Sequence, residues 1–225
     1  MLSLDPILRK MKTLPSKLLQ GHIYFFRYAI ERQKGRKNSS VCFLDLDGTL
    51  WPDKSPNQIM SIMRPSKEVS LALDYLKNRF DFVIAISNQT LHAKSTHFNF
   101  VNLVQYFSKL LLIRTRFRLD GFLICHHHRD AANTNLKSSC PYRKPFQKMI
   151  AEVELVVPLD RSKSVIVGDR LSDVVVGNAC NFRQTYLIVE EYSLDKIVSE
   201  ISWPEVYIFT PIRSISEVID FEMRI

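Results

Sequence analysis

The chain has 225 residues, 46% hydrophobic and 24% charged, with a formal net charge of +8, which suits one α/β domain with a full core and the composition of a soluble globular protein. Four irregularly spaced cysteines exclude a disulfide framework and point to a reducing, cytoplasmic compartment; no apolar run reaches bilayer-spanning length, and charges interrupt the short apolar runs where a signal peptide would lie. Residues 1–40 carry nine Lys/Arg against Asp5 and Glu31, so the rest of the chain is almost neutral; that argues against a nucleic-acid-binding core and leaves a basic arm suited to lipid, nucleic acid or an acidic partner.

In chain order, residues 1–40 read as a basic N-terminal extension and 41–225 as the main domain. Leu18, Leu19, Ile23, Phe26 and Ile30 have the spacing of an amphipathic helix over 18–30, followed by a charged linker over 31–40. The scarcity of acids would also fit a targeting presequence, but aromatics on several faces favour a helix packed on the domain. From residue 41, strands and helices alternate. A strand at 41–45 precedes a helix at 66–79, with Val69, Leu73, Leu76 and Phe80 at helical spacing. A second strand at 81–86 precedes a helix at 96–113 that carries Phe100, Val104, Phe107 and Leu111 on one face. A third strand at 119–124 leads into a loop of about 20 residues, long for such a connection, then a helix near 145–157 stopped by Pro158. A strand at 164–167 enters Gly168, followed by a helix at 172–181 and a strand at 184–188. The tail, 193–222, reads as two weaker helices around a strand near 206–209.

This alternation predicts a Rossmann-like α/β fold, a three-layer α/β/α sandwich around a parallel sheet. Ligands of such sheets sit at the carboxyl ends of the strands, at the switch point. The chemistry-bearing residues fall there: Asp45, Ser87, Cys125 and Asp169 each follow a predicted strand. No insertion is long enough for a large cap domain.

Four segments carry the chemistry. In Val41-Cys42-Phe43-Leu44-Asp45-Leu46-Asp47-Gly48-Thr49-Leu50, the two-residue period of a strand sends Asp45 and Asp47 to one side, and Gly48 permits a sharp turn after them. Carboxylates held together call for a cation, a shared proton or a phosphoryl group. In Ile86-Ser87-Asn88-Gln89, a hydroxyl and backbone N–H at the sheet edge suit a phosphoryl oxygen, or simply a capped turn. In Tyr142-Arg143-Lys144-Pro145, an ammonium precedes a proline suited to a helix's first turn. In Gly168-Asp169-Arg170-Leu171-Ser172-Asp173, two carboxylates four residues apart suit Mg²⁺, or Asp173 caps the helix.

In this order, the four segments closely resemble motifs I to IV of the haloacid dehalogenase (HAD) superfamily, over residues 41–190. The Ser-Asn-Gln and Arg-Lys-Pro runs resemble the branch containing heptose bisphosphate and histidinol phosphate phosphatases and polynucleotide 3′-phosphatases. The resemblance implies Mg²⁺-dependent hydrolysis of a phosphate monoester, with a small phosphorylated metabolite such as a heptose bisphosphate as substrate. It implies Asp45 as nucleophile, Asp47 as acid and base, and Lys144 as the neutralising cation. Thr49, Ser87, Asn88, Gln89 and Arg143 would bind substrate or phosphate. Asp45, the Asp47 carbonyl and Asp169 would hold Mg²⁺, supported by Asp173. Leu50-Trp51-Pro52 is similar instead to small magnesium-dependent phosphatases of phosphoproteins or glycated protein. A 3′-phosphatase and a non-catalytic binding protein on the same fold are the rival expectations.

The long loop holds Cys125-His126-His127-His128 and, before the Arg-Lys-Pro run, Cys140. Members of the heptose and histidinol branch carry a structural zinc there, on Cys-x-His and Cys-x-Cys. This chain matches with Cys125, His127 and Cys140 and has Tyr142 at the last position. Structural zinc wants four ligands, so the site is either lost or completed by another group such as His126 or His128.

Overall fold

The computed structural model describes residues 22–25, 35–51, 65–89, 113, 116–189 and 207–224. Within them the chain runs through β1 (His22–Phe25), β2 (Val41–Leu44), α1 (Lys67–Arg79), β3 (Phe82–Asn88), β4 (Gly121–Cys125), α2 (Lys148–Glu154), β5 (Val165–Gly168), α3 (Leu171–Ala179), β6 (Gln184–Ile188), β7 (Thr210–Ile212) and α4 (Glu217–Glu222). The predicted helix at 96–113 lies outside the described residues except for Ile113. Among the described residues, no helix is long and apolar enough to cross a membrane.

The strands form one sheet in the order β1-β4-β3-β2-β5-β6-β7. β4 to β7 are parallel through β2 at the centre, and β1 alone runs antiparallel, against β4. Strands buried on both faces read as continuous apolar runs, and every residue of β2, β4 and β5 is buried. Alternate residues feed two cores. Cys42, Leu44, Val83, Ala85, Val165 and Val167 meet Leu73 and Leu76 of α1 and Val218 of α4. Val41, Phe43, Ile84, Ile86 and Ile166 meet Met149, Ile150 and Val153 of α2 and Val176 of α3. The result is the three-layer sandwich.

The sheet departs from the sequence expectation at both ends. His22–Phe25 is an edge strand, not part of a helix over 18–30, so residues 22–25 contribute to the domain sheet. The remaining stretch of that predicted helix lies outside the described residues. At the other edge β7 begins at Thr210, and α4 folds back. Glu222 of α4 is buried, accepts from Tyr186 Oη at 2.7 Å and pairs with Arg183; a buried charge needs such partners. Ser66 caps α1 by accepting from the Val69 amide at 3.1 Å. α2 begins at Lys148, later than Pro145, because residues 141–147 form turns.

Chain order reverses between β2 and β5. β3 and β4 build outward on one side, β5 and β6 on the other. The carboxyl ends of β2 and β5 therefore open a crevice, where ligands of such sheets bind.

Candidate active site

Asp45 follows β2, and its amide donates to the Val167 carbonyl of β5 at 2.9 Å. The next residues wind tightly. Gly48 N–H donates to the Trp51 carbonyl at 2.7 Å, and Leu50 N–H to the Leu46 carbonyl at 2.9 Å. Gly48 adopts φ +75°, and a Cβ there would lie 2.0 Å from Asp169 Oδ2. The absence of a side chain thus lets the β2 and β5 loops meet. Thr49 Oγ1 is buried with no hydrogen-bond partner among the described residues.

Lys144 reaches this crevice from the loop after β4. Its Nζ lies 2.9 Å from Asp45 Oδ1 and 2.5 Å from Asp173 Oδ1, and donates to the Ile86 carbonyl at 3.0 Å. Burial works against its charge, but Asp173 and Asp45 outweigh that and raise its pKa. Asp173 does two tasks: Oδ2 accepts the Arg170 amide at 3.2 Å at the start of α3, while Oδ1 receives Lys144. The helix-capping alternative from the sequence is seen here, together with the Lys144 pair. Burial raises its own pKa, aided by Asp45 and opposed by Lys144.

Asp45, Asp169 and Asp173 each bring a carboxylate oxygen within 4.8 Å of the others. Burial, then Asp45, then Asp173 push the Asp169 carboxyl up to about 7. Asp169 Oδ1 is buried without a hydrogen-bond partner among the described residues. Crowded carboxylates with an unused oxygen are a donor set that fits a hard divalent cation such as Mg²⁺. The Asp47 side chain is not in this group.

Asp47 is instead held from two sides. Trp51 Nε1 donates to its Oδ1 and Gln89 Nε2 to its Oδ2, both at 2.6 Å. The same Gln89 nitrogen donates to Ser87 Oγ at 3.0 Å, as an amide NH₂ allows. Asn88 exchanges two hydrogen bonds with the Lys144 backbone. The Ser-Asn-Gln run therefore fastens Asp47 and Lys144 as well as ending β3. Asp45, Asp47, Asn88, Arg143, Lys144, Arg170 and Ser172 line a polar cavity of about 150 Å³. Burial lowers the Arg143 pKa, and its Nη1 donates to the His127 carbonyl at 2.8 Å.

Cys125, His127 and Cys140 also meet, and His22 of β1 joins them. Tyr142, at the last of the four sequence positions, turns away: its hydroxyl donates to Glu152 Oε1 at 2.7 Å. His126 Nδ1 faces the Gln89 carbonyl at 3.2 Å, and His128 Nδ1 accepts the Asp130 amide at 3.1 Å. Two thiols and two imidazoles in one buried cluster fit zinc.

Sequence reasoning missed Arg170 and Ser172 in the cavity, Trp51 and Gln89 as holders of Asp47, and His22. Arg170 had a signal, as it directly follows the carboxylate that ends β5. His22 had none, because its neighbours come from strand pairing across the sheet.

No family model matches the chain. It is 29% identical over 134 residues to D-glycero-beta-D-manno-heptose-1,7-bisphosphate 7-phosphatase of Photorhabdus laumondii, covering 59% of this chain and 71% of that one. It is 27% identical over 154 residues to the enzyme of the same name from Escherichia coli K12, covering 68% and 80%. Among solved structures, a protein of Mesorhizobium loti described as a HAD-like phosphatase aligns with a TM-score of 0.65 at 23% identity, over 91% of this chain and 92% of that one. A D,D-heptose 1,7-bisphosphate phosphatase from B. bronchiseptica, complexed with magnesium and phosphate, aligns at 0.60 with 18% identity, over 82% and 98%. The fold is HAD-like.

Proposed function

We propose that this chain, a phosphoric monoester hydrolase of the HAD type similar to heptose bisphosphate phosphatases, removes phosphate from a small phosphorylated sugar, with a heptose bisphosphate the leading substrate. The observation that carries the reading is the bridge from Lys144 Nζ to both Asp45 and Asp173 beside Asp169, with Lys144 and Asp45 lining a polar cavity that Arg143 and Arg170 also line.

Asp45 attacks phosphorus in line, forming an aspartyl-phosphate as the bond to the leaving oxygen breaks. Asp47 gives that oxygen a proton, then takes one from the water that attacks the phosphoenzyme and releases phosphate and free Asp45. Lys144, Arg143 and Arg170 face the charge that spreads over the phosphoryl oxygens. Thr49, Ser87 and Asn88 help to seat the phosphate. Asp45, Asp169 and the Asp47 carbonyl would hold Mg²⁺, which when bound offsets the negative charge of nucleophile and phosphate. The Cys125, His127 and Cys140 group would hold a structural zinc. Four free cysteines suit a reducing cytoplasm.

The test is Mg²⁺-dependent phosphate release from sugar phosphates, sugar bisphosphates, histidinol phosphate and a 3′-phosphorylated oligonucleotide, with Asp45→Asn as control. A preference for a sugar bisphosphate that vanishes in the variant is expected. Preference for the oligonucleotide would replace the substrate class, and undiminished release by Asp45→Asn would overturn the mechanism.

A further inference from the structure

We infer that His22 is the fourth ligand of a closed zinc site with Cys125, His127 and Cys140, and that the ion fastens the edge strand β1 to the sheet and braces Arg143. The inference rests on the zinc reading above, and its effect on substrate rests on the phosphatase reading.

His22 pairs in register with Cys125 across β1 and β4, and side chains directly opposite in a ladder lie on the same face. His22 Nε2 lies 3.0 Å from Cys140 Sγ, and Cys125 Sγ lies 3.8 Å from His127 Nδ1. The four ligand atoms all fall within 4.8 Å of one another, and all four residues are buried. Tetrahedral zinc at ordinary bond lengths sets its ligand atoms about 3.3–3.8 Å apart, so small side-chain adjustments close the shell. Two thiolates balance the charge of the ion and two imidazoles add none, which suits a buried site. The Tyr142 ring packs against His22 with centroids 4.3 Å apart; the residue at the expected ligand position thus supports the imidazole that replaces it.

The site has two mechanical consequences. It joins His22 to Cys140, 118 residues apart, so a four-residue edge strand gains a cross-link. It also grips Arg143 at both ends. The Arg143 amide donates to the Cys140 carbonyl at 3.0 Å and its guanidinium to the His127 carbonyl at 2.8 Å. Fixing those two ligand residues fixes the cation that lines the cavity.

The test uses the full chain produced without a histidine tag. Zinc is quantified by mass spectrometry, and the site is reloaded with Co²⁺ for absorption spectroscopy. One zinc per chain and a tetrahedral thiolate–cobalt spectrum are expected. His22→Ala should bind zinc at least about 100-fold more weakly, exceeding the 10–100-fold typical of losing an outer partner. His22→Cys should keep the metal and strengthen the thiolate–cobalt band, which separates a ligand from a residue needed only for folding. Hydrogen exchange at 22–25 and 121–125 should quicken in His22→Ala and in the chelated wild type, and KM should rise more than kcat falls. Zinc retained by His22→Ala with an unchanged cobalt spectrum would overturn the inference alone. Wild type without zinc would overturn the zinc reading with it. Metal results as expected without phosphate release would leave the His22 site standing and remove only the phosphatase reading.

Discussion

Asn88 and Lys144 exchange two hydrogen bonds: Asn88 Nδ2 donates to the Lys144 carbonyl, and the Lys144 amide donates to Asn88 Oδ1, both at 2.9 Å. The end of β3 thereby sets the backbone from which the Lys144 ammonium reaches Asp45. Asn88→Ala leaves two backbone groups without their partners and should cost about 2 kcal/mol. kcat should fall by roughly 10-fold or more, since small misplacements of a reacting group are expensive. Asn88→Asp keeps the acceptor but turns a carboxylate oxygen onto the Lys144 carbonyl, so it should not rescue the loss. Thermal melts and initial rates check both, and an Asn88→Ala variant with normal kcat would deny Asn88 this positioning role.

Gln89 and Trp51 hold opposite oxygens of Asp47. Gln89→Leu keeps the bulk and removes the amide that donates to both Asp47 and Ser87. The expected result is a kcat lower by about 10-fold, part of the 10²–10⁴ that a positioned acid–base group supplies, with KM little changed. A change confined to KM would move Gln89 from positioning Asp47 to binding substrate.

Gly48→Ala sets a methyl group 2.0 Å from Asp169 Oδ2 at φ +75°. Strain and displacement together should destabilise the protein by at least about 1 kcal/mol and weaken Mg²⁺ binding. Calorimetric Mg²⁺ titration of the two proteins reads the effect directly; equal affinities would show that the β2 and β5 loops part without disturbing the carboxylates.

Asp169 titrates near 7 in the metal-free protein because burial and two neighbouring carboxylates oppose its charge. Its folded pKa lies above the unfolded value, so the folded state holds the proton more tightly. The site's contribution to stability is present below about pH 4 and is lost as pH rises through about 7. Mg²⁺ would bind the ionised form. The Mg²⁺-induced rise in Tm should be larger at about pH 8 than at about pH 5.5, and that difference should shrink in Asp169→Asn. A metal effect independent of pH would exclude Asp169 as the titrating ligand.

The sequence by itself determined the parts whose signals are local. Val41 to Leu44 and Val165 to Val167 read as buried strands because strands covered on both faces are continuously apolar, and a carboxylate after each marks the sheet's binding edge. Asp45 and Asp169 were nameable in this way and Lys144 through the Arg143-Lys144-Pro145 resemblance, and the three meet. Tertiary structure alone decided which groups face one another: Asp173 with Lys144, Gln89 with Asp47, and His22 in the place that Tyr142 leaves. Helical spacing in 18–30 misled because β1 takes its hydrogen bonds from β4, about a hundred residues later, and such pairing overrides local preference. Periodicity reports which face a residue takes; which partner waits there depends on the register of strands far apart in the chain.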